Sequence, residues 1–147
     1  MEYHLEDLEV GQRFTSPPHT VTAEAIKAFA RAFDPQPFHT DEGAARDSFF
    51  GGLVASGWHT AGITMRLLVD GGLPLAGGSI GAGGEIRWPI PTRPGDTLTA
   101  ESVVEAIAPS RSRPDRGLVT VRTETRNQNG EVVQVLVSRV LAFRRPP

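Results

Sequence analysis

Apolar and polar residues divide this chain into a helical first half and a strand-rich second half. Ile26, Phe29, Ala30 and Phe33 recur at helical spacing, with Thr22 placed as an N-cap and Glu24 in the first turn. Pro35 and Pro37 end that helix. Thr40 is placed to cap a short helix through Asp41 to Arg46, and Gly51-Gly52 breaks the chain again. From Gly57 to Val69 runs the longest apolar helix candidate. Trp58, Ala61, Met65 and Leu68 form one stripe, and Ile63, Leu67 and Val69 leave little polar surface, which predicts a buried helix. Its exceptions, His59 and Arg66, lie seven residues apart and share a face. Gly71-Gly72-Leu73-Pro74 stops it.

Beyond that point the period changes to two. Leu98, Ala100, Ser102, Val104 and Ala106 alternate with Thr97, Thr99, Glu101, Val103 and Glu105. Val119, Val121, Thr123 and Thr125 alternate with Thr120, Arg122, Glu124 and Arg126. Asn127-Gln128-Asn129-Gly130 reads as a hairpin turn before a last strand from Val132 to Phe143. Ser79–Trp88 reads as a glycine-rich strand. Successive strands after one long buried helix predict an α+β layer, an antiparallel sheet wrapped around a central helix.

The 147 residues predict one domain over 1–147, large enough for one real core. A formal net charge of −2 offers no basic field for nucleic acid. Without Cys there are no disulfides and no thiolate zinc sites. The first residues, Met1-Glu2-Tyr3-His4-Leu5-Glu6, are unlike a signal peptide, and no apolar run reaches the length of a membrane span. The expectation is a cytoplasmic protein. No His, Asp and Glu set has metal-ligand spacing, so no metal is expected. The glycines at 77, 78, 81, 83 and 84 fit neither a Rossmann nor a P-loop frame, and mark a strand that lets another backbone or a ligand approach.

The most informative segment is Asp34-Pro35-Gln36-Pro37-Phe38-His39-Thr40-Asp41. Its two prolines exclude regular helix and favour a stiff loop, which can aim Asp34 and His39 at one point. Taken singly, Asp34 is ordinary turn chemistry and His39 a loop imidazole bonded to backbone. Together they form an acid–base pair. Downstream, Ser56-Gly57 opens the long helix, whose first N–H groups lack partners and suit a developing oxyanion. Gly57 is the expected donor, although a glycine there also serves close packing. Ser56 reads as an N-cap rather than a nucleophile, for the Gly-x-Ser-x-Gly frame is absent. Trp88 walls the pocket or fills the core. Arg111 and Arg113, with Arg116, either meet phosphates or stand in a solvated hairpin loop. His59 and Arg66 line the pocket or form a core pair.

The pattern Asp34-x-Gln36-Pro37-x-His39 resembles the Asp-x-Asn-Pro-x-His signature of the MaoC-like dehydratases, the (R)-specific enoyl-CoA hydratases. The likeness runs from Phe29–Phe33 through Trp88-Pro89 to Arg93-Pro94-Gly95-Asp96. It implies a hot-dog fold and addition of water to, or its removal from, a CoA or acyl-carrier thioester of fatty acid metabolism. It implies Asp34, His39 and Gly57 as catalytic groups, with Gln36, Ser56, Trp88, Arg111 and Arg113 towards substrate. No cofactor is implied beyond the CoA of the substrate. The resemblance also implies a homodimer or dimer of dimers with active sites near the interface. Gln36 departs from the family's Asn, and in many relatives His stands at the place of Ser56. The competing functions are a hot-dog acyl-CoA thioesterase and a noncatalytic acyl-CoA-binding protein.

Overall fold

The alternation in the second half folds into three long antiparallel strands. The computed structural model describes all 147 residues. The strands are β1 (Arg13–Thr15), β2 (His19–Thr20), β3 (Ile80–Arg87), β4 (Thr97–Pro109), β5 (Arg116–Arg126) and β6 (Val132–Phe143). They form one sheet in the order β1-β4-β5-β6-β3, with β2 also paired to β4. Leu98, Ala100, Ser102, Val104, Val119, Val121, Thr123 and Thr125 are all buried, so the inward set is the one the alternation selects. Ala106 is exposed instead, because a register shift between Val104 and Ala106 turns β4 by one residue. The short β1, β2 and the 3-10 turn Leu5–Asp7 carry too few residues to show a period, and the sequence pattern did not reveal them.

The helices are α1 (Ala23–Phe33), α2 (Pro37–Thr40), α3 (Glu42–Arg46) and α4 (Gly57–Leu67), followed by a wider π turn, Leu68–Gly72. Thr22 caps α1 as expected, its side chain accepting from Ala25 N. Three local expectations change. The Pro-rich segment does contain a single helical turn, α2, because Pro37 takes a first-turn position where its missing N–H costs nothing. Asp41, not Thr40, caps α3, accepting from Ala44 N at 3.0 Å, while Thr40 Oγ1 donates back to the Gln36 carbonyl. Phe33 lies outside the core although its stripe mates Ile26 and Ala30 are completely buried.

The sheet curls around α4, which packs on β4 and α1. Its buried face is Thr60, Ile63, Thr64 and Leu67, not the apolar stripe that sequence favoured. Trp58 (62% exposed), Met65 (46%) and Val69 (65%) lie on the outside. The core has two parts. One gathers Leu5, Leu8, Phe14 and Leu73 against β4, β5 and β6. The other joins Ile26, Leu53, Ile63, Leu67, Leu98 and Val133. No helix is long and apolar enough to cross a membrane.

Three of the eight residues of β3 are glycine, and Gly84 is the one that its neighbours require. A Cβ there would overlap the Val137 carbonyl oxygen and come within 2.9 Å of Ser138 Cα, so glycine alone allows β3 to approach β6. Gly84→Ala is expected to destabilise the protein by about 1–3 kcal/mol, the usual cost of forcing a methyl into a closed space. Chemical denaturation followed by circular dichroism checks this, and an unchanged midpoint would show that β3 can shift outwards freely.

Candidate active site

The chain turns sharply at the end of α1, and Asp34 occupies the C-cap with φ −152° and ψ 68°. Pro35 forbids helix for its predecessor, and α2 restarts two residues later. That turn presents the Asp34 carboxylate and the His39 ring to each other. His39 Nε2 lies 3.3 Å from Asp34 Oδ2. His39 is buried, and its Nδ1 sits 2.7 Å from the Val54 carbonyl oxygen. A carbonyl only accepts, so Nδ1 carries hydrogen and donates. In the neutral ring, Nε2 is then the free lone pair, directed beside Asp34.

Three groups act on Asp34. Burial pushes its pKa up, but the Ser56 hydroxyl, the Gln36 amide and the His39 charge outweigh it, so the carboxyl lies below the ordinary value of 3.8. Gln36 Nε2 donates to Asp34 Oδ1 at 2.6 Å. Gln36 therefore turns back onto the carboxylate from the exposed side and does not line the pocket. Its extra methylene, relative to Asn, is accommodated by this outward path.

Extended residues 53–56 bring the second half of the site. Val54 N donates to Phe38 O at 3.2 Å and Ala55 N to Thr92 O at 2.9 Å. Ser56, fully buried, then caps α4 by accepting from Trp58 N at 3.3 Å. Gly57 follows with its N–H free of any backbone partner. A Cβ on Gly57 would stand 2.7–2.8 Å from three ring atoms of Trp88. The packing role of this glycine is thus real and compatible with the donor role. Any substitution there, proline included, strikes the indole before it tests the N–H.

Asp34, His39, Ser56, Gly57 and Trp88 all line one cleft of ≈ 390 Å³. Sequence reasoning missed most of its apolar walls: Phe38, Phe49, Phe50, Trp58, Ile90 and Val133. The adjacent Phe49-Phe50 pair, just before a glycine break, was the available signal. His59 and Arg66 are not in the cleft. His59 stacks on Phe29 with centroids 4.9 Å apart, and burial, then the nearby His19, lowers its pKa. Arg66 pairs outside with Asp70 at 2.7 Å. Arg111 and Arg113 do not line this chain's cleft either. They occupy the β4–β5 hairpin, at the Phe143 end of β6, whereas Val133 of the cleft lies at its start. At about 3.3 Å per strand residue the two ends are on the order of 30 Å apart.

A cleft with an ionised carboxylate beside an imidazole lone pair can hold a water molecule and draw a proton from it. A free N–H at the start of an 11-residue helix can take charge on a carbonyl oxygen across the cleft. Residues 7–128 match the MaoC like domain family. Protein YdeM of Bacillus subtilis is 34% identical over 127 residues, covering 84% of this chain and 87% of its own. The (R)-specific enoyl-CoA hydratase of Rhodospirillum rubrum is 32% identical over 123 residues, 82% of this chain and 79% of its own. The crystal structure of a MaoC-like dehydratase from Rhodospirillum rubrum superposes with a TM-score of 0.97 at 66% identity, over 99% of each chain. The sheet wrapped around α4 is therefore a hot-dog fold.

Gln36→Leu removes one of the three groups that hold Asp34 down. The pKa of Asp34 is expected to rise towards or past 3.8, because burial then faces less opposition. Carboxyl-carbon NMR titration of the two proteins reads this directly. A titration unchanged by the substitution would leave Gln36 with a loop-shaping role only.

Proposed function

Because the chain belongs to the MaoC-like domain family, we propose that it is a hydratase/dehydratase acting on enoyl-CoA or 3-hydroxyacyl-CoA thioesters. The family and its (R)-specific enoyl-CoA hydratase member support such an activity broadly. The observation that carries the reading is the pairing of His39 Nε2 with Asp34 Oδ2 at 3.3 Å inside an apolar cleft that also holds a free helix-start N–H.

The proposed mechanism follows from the hydrogen bonds. Asp34 is kept anionic by Ser56 and Gln36, so it orients the water and faces the imidazolium as that forms. The water donates one hydrogen to Asp34 and the other to His39 Nε2. Its oxygen attacks C3 of the 2-enoyl thioester while Nε2 takes the proton. The C2=C3 electron pair moves towards the thioester carbonyl, whose oxygen charge is met by Gly57 N–H. The imidazolium Nε2–H then returns the proton to C2. One water is added, and His39 ends neutral as it began. Val54, by holding Nδ1–H throughout, keeps the ring in the tautomer this cycle needs.

We also read the chain as a homodimer. β3 is a sheet edge exposed along nearly its whole length, a row of unpaired backbone groups that proteins ordinarily cover. Trp58 and Met65 on the open side of α4, with Val69 in the turn that follows it, lie at helical spacing, an apolar stripe of the kind that marks an interface. A second copy covers both at once, and Trp58 also lines the cleft, so the interface would close the cleft's open side.

Asp34→Asn and His39→Ala are each expected to lower kcat on the preferred enoyl-CoA by about 10²–10⁴-fold with the fold retained. The double variant should be little worse than either single one, as groups that act together are not additive. Loss of enoyl absorbance without release of thiol identifies hydration. Thiol release would instead point to a thioesterase, and binding without either change to an acyl-CoA carrier.

Met65→Glu, placed at the centre of the exposed stripe, is expected to convert a dimer into a monomer without unfolding it. Sedimentation velocity on both proteins checks this. A wild type that sediments as a monomer would remove the homodimer from the reading.

A further inference from the structure

Gln134 is completely buried on the inner face of β6, opposite Thr125 of β5. An apolar side chain would fill that place without the desolvation cost of an amide. The amide is instead engaged through both its oxygen and its nitrogen. Its Oε1 accepts from Trp88 Nε1 at 2.9 Å, and its Nε2 donates to Thr64 Oγ1 at 2.9 Å. Thr64 Oγ1 is in turn 2.6 Å from Thr125 Oγ1. A chain of hydrogen bonds thus runs from the indole through the sheet to α4.

The indole needs such an anchor. Trp88 follows β3 directly and is 38% exposed, so its own packing leaves it room to swing outwards. Anchored, it lies flat against Gly57 and meets Trp58 edge-on with centroids 5.3 Å apart. It faces the cleft, but Gln134 and Thr64 behind it do not. The indole is therefore a wall of the ≈ 390 Å³ cleft beside Gly57, and the buried hydrogen-bonded groups behind it keep it from receding.

We infer that Gln134 is a positioning residue that sets acyl-chain length, by holding Trp88 across the cleft beside Gly57 so that only short, compact acyl thioesters fit. This rests on the thioester-hydratase reading for the kind of ligand, and adds the substrate class and the residue that selects it.

The test measures binding of two saturated, unreactive ligands, butyryl-CoA and octanoyl-CoA, by calorimetry, beside crotonyl-CoA hydration by the wild type. Wild type should bind butyryl-CoA at least as tightly as octanoyl-CoA. Trp88→Ala and Gln134→Leu should each shift the ratio of the two Kd values at least fivefold towards octanoyl-CoA. Adding Gln134→Leu to Trp88→Ala should move the ratio no further, since Gln134 acts through the indole. A merely structural Gln134 would weaken both ligands alike and leave the ratio in place, which would overturn the inference. So would a shift with Trp88→Ala and none with Gln134→Leu. Should Gln134→Leu fail to fold, Gln134→Met, unbranched and better able to fill the same space, gives the same comparison. The expected ratio shift without hydration by the wild type would keep the wall and discard the hydratase. Hydration without the shift would do the reverse, and failure to bind either ligand would discard both.

Discussion

The hydrogen bond from His39 Nδ1–H to the Val54 carbonyl holds the candidate site together. It joins two segments fifteen residues apart in the chain, the Pro-stiffened turn and the extended strap before α4. On the turn side it fixes ring orientation and tautomer, leaving Nε2 beside Asp34. On the strap side it sets where residues 53–56 run, and so where Ser56 caps α4 and Gly57 points its N–H. A carbonyl is the partner that makes this unambiguous, because it cannot donate. The strap is held from the other side by Ala55 N on Thr92 O, so hydrogen bonds link the imidazole, the strap before the helix start and the far wall in one series.

The second constraint is polar. α4 turns Thr60 and Thr64 inwards beside Ile63 and Leu67, and leaves Trp58 and Met65 outside. Thr60 donates to Thr92 at 3.0 Å, and Thr64 meets both Thr125 and Gln134. Each buried hydroxyl finds a partner, so the cost of burial is offset. The consequence lies on the opposite side of the helix. Trp58, Met65 and Val69 are left outside, and on the homodimer proposed above they would face the second copy. The choice of buried face on one helix thus bears on the assembly as well as on the cleft.

The inner faces of β4 and β5, the Thr22 cap of α1 and the start of α4 at Ser56-Gly57 were legible because each rests on neighbouring residues and a short period. The convergence of Asp34 and His39 was legible for a related reason. Two prolines restrict the backbone enough that five residues can be aimed. The face of α4 was misread because hydrophobicity all round a helix does not say which side is covered when threonines can be satisfied inside. Gln36 was expected towards substrate, but its reach lets it fold back onto Asp34, and nothing in its neighbours distinguishes the two paths. Arg111 and Arg113 formed a basic cluster on paper. Their distance from the cleft depends on the length of β6 and on which end of it the hairpin joins.

By itself, then, the sequence determined the long strands, most of the inward faces of β4 and β5, the starts of α1 and α4, and the pairing of a carboxylate with an imidazole, all set by local sterics and periodicity. Only the tertiary structure decided that Gln134 meets Trp88 forty-six residues away, that Trp88 lies on Gly57, and that aromatic walls from separate segments enclose one cleft. Those contacts follow from how the sheet curls around α4. No local preference encodes them, because the residues become neighbours only once the chain has closed.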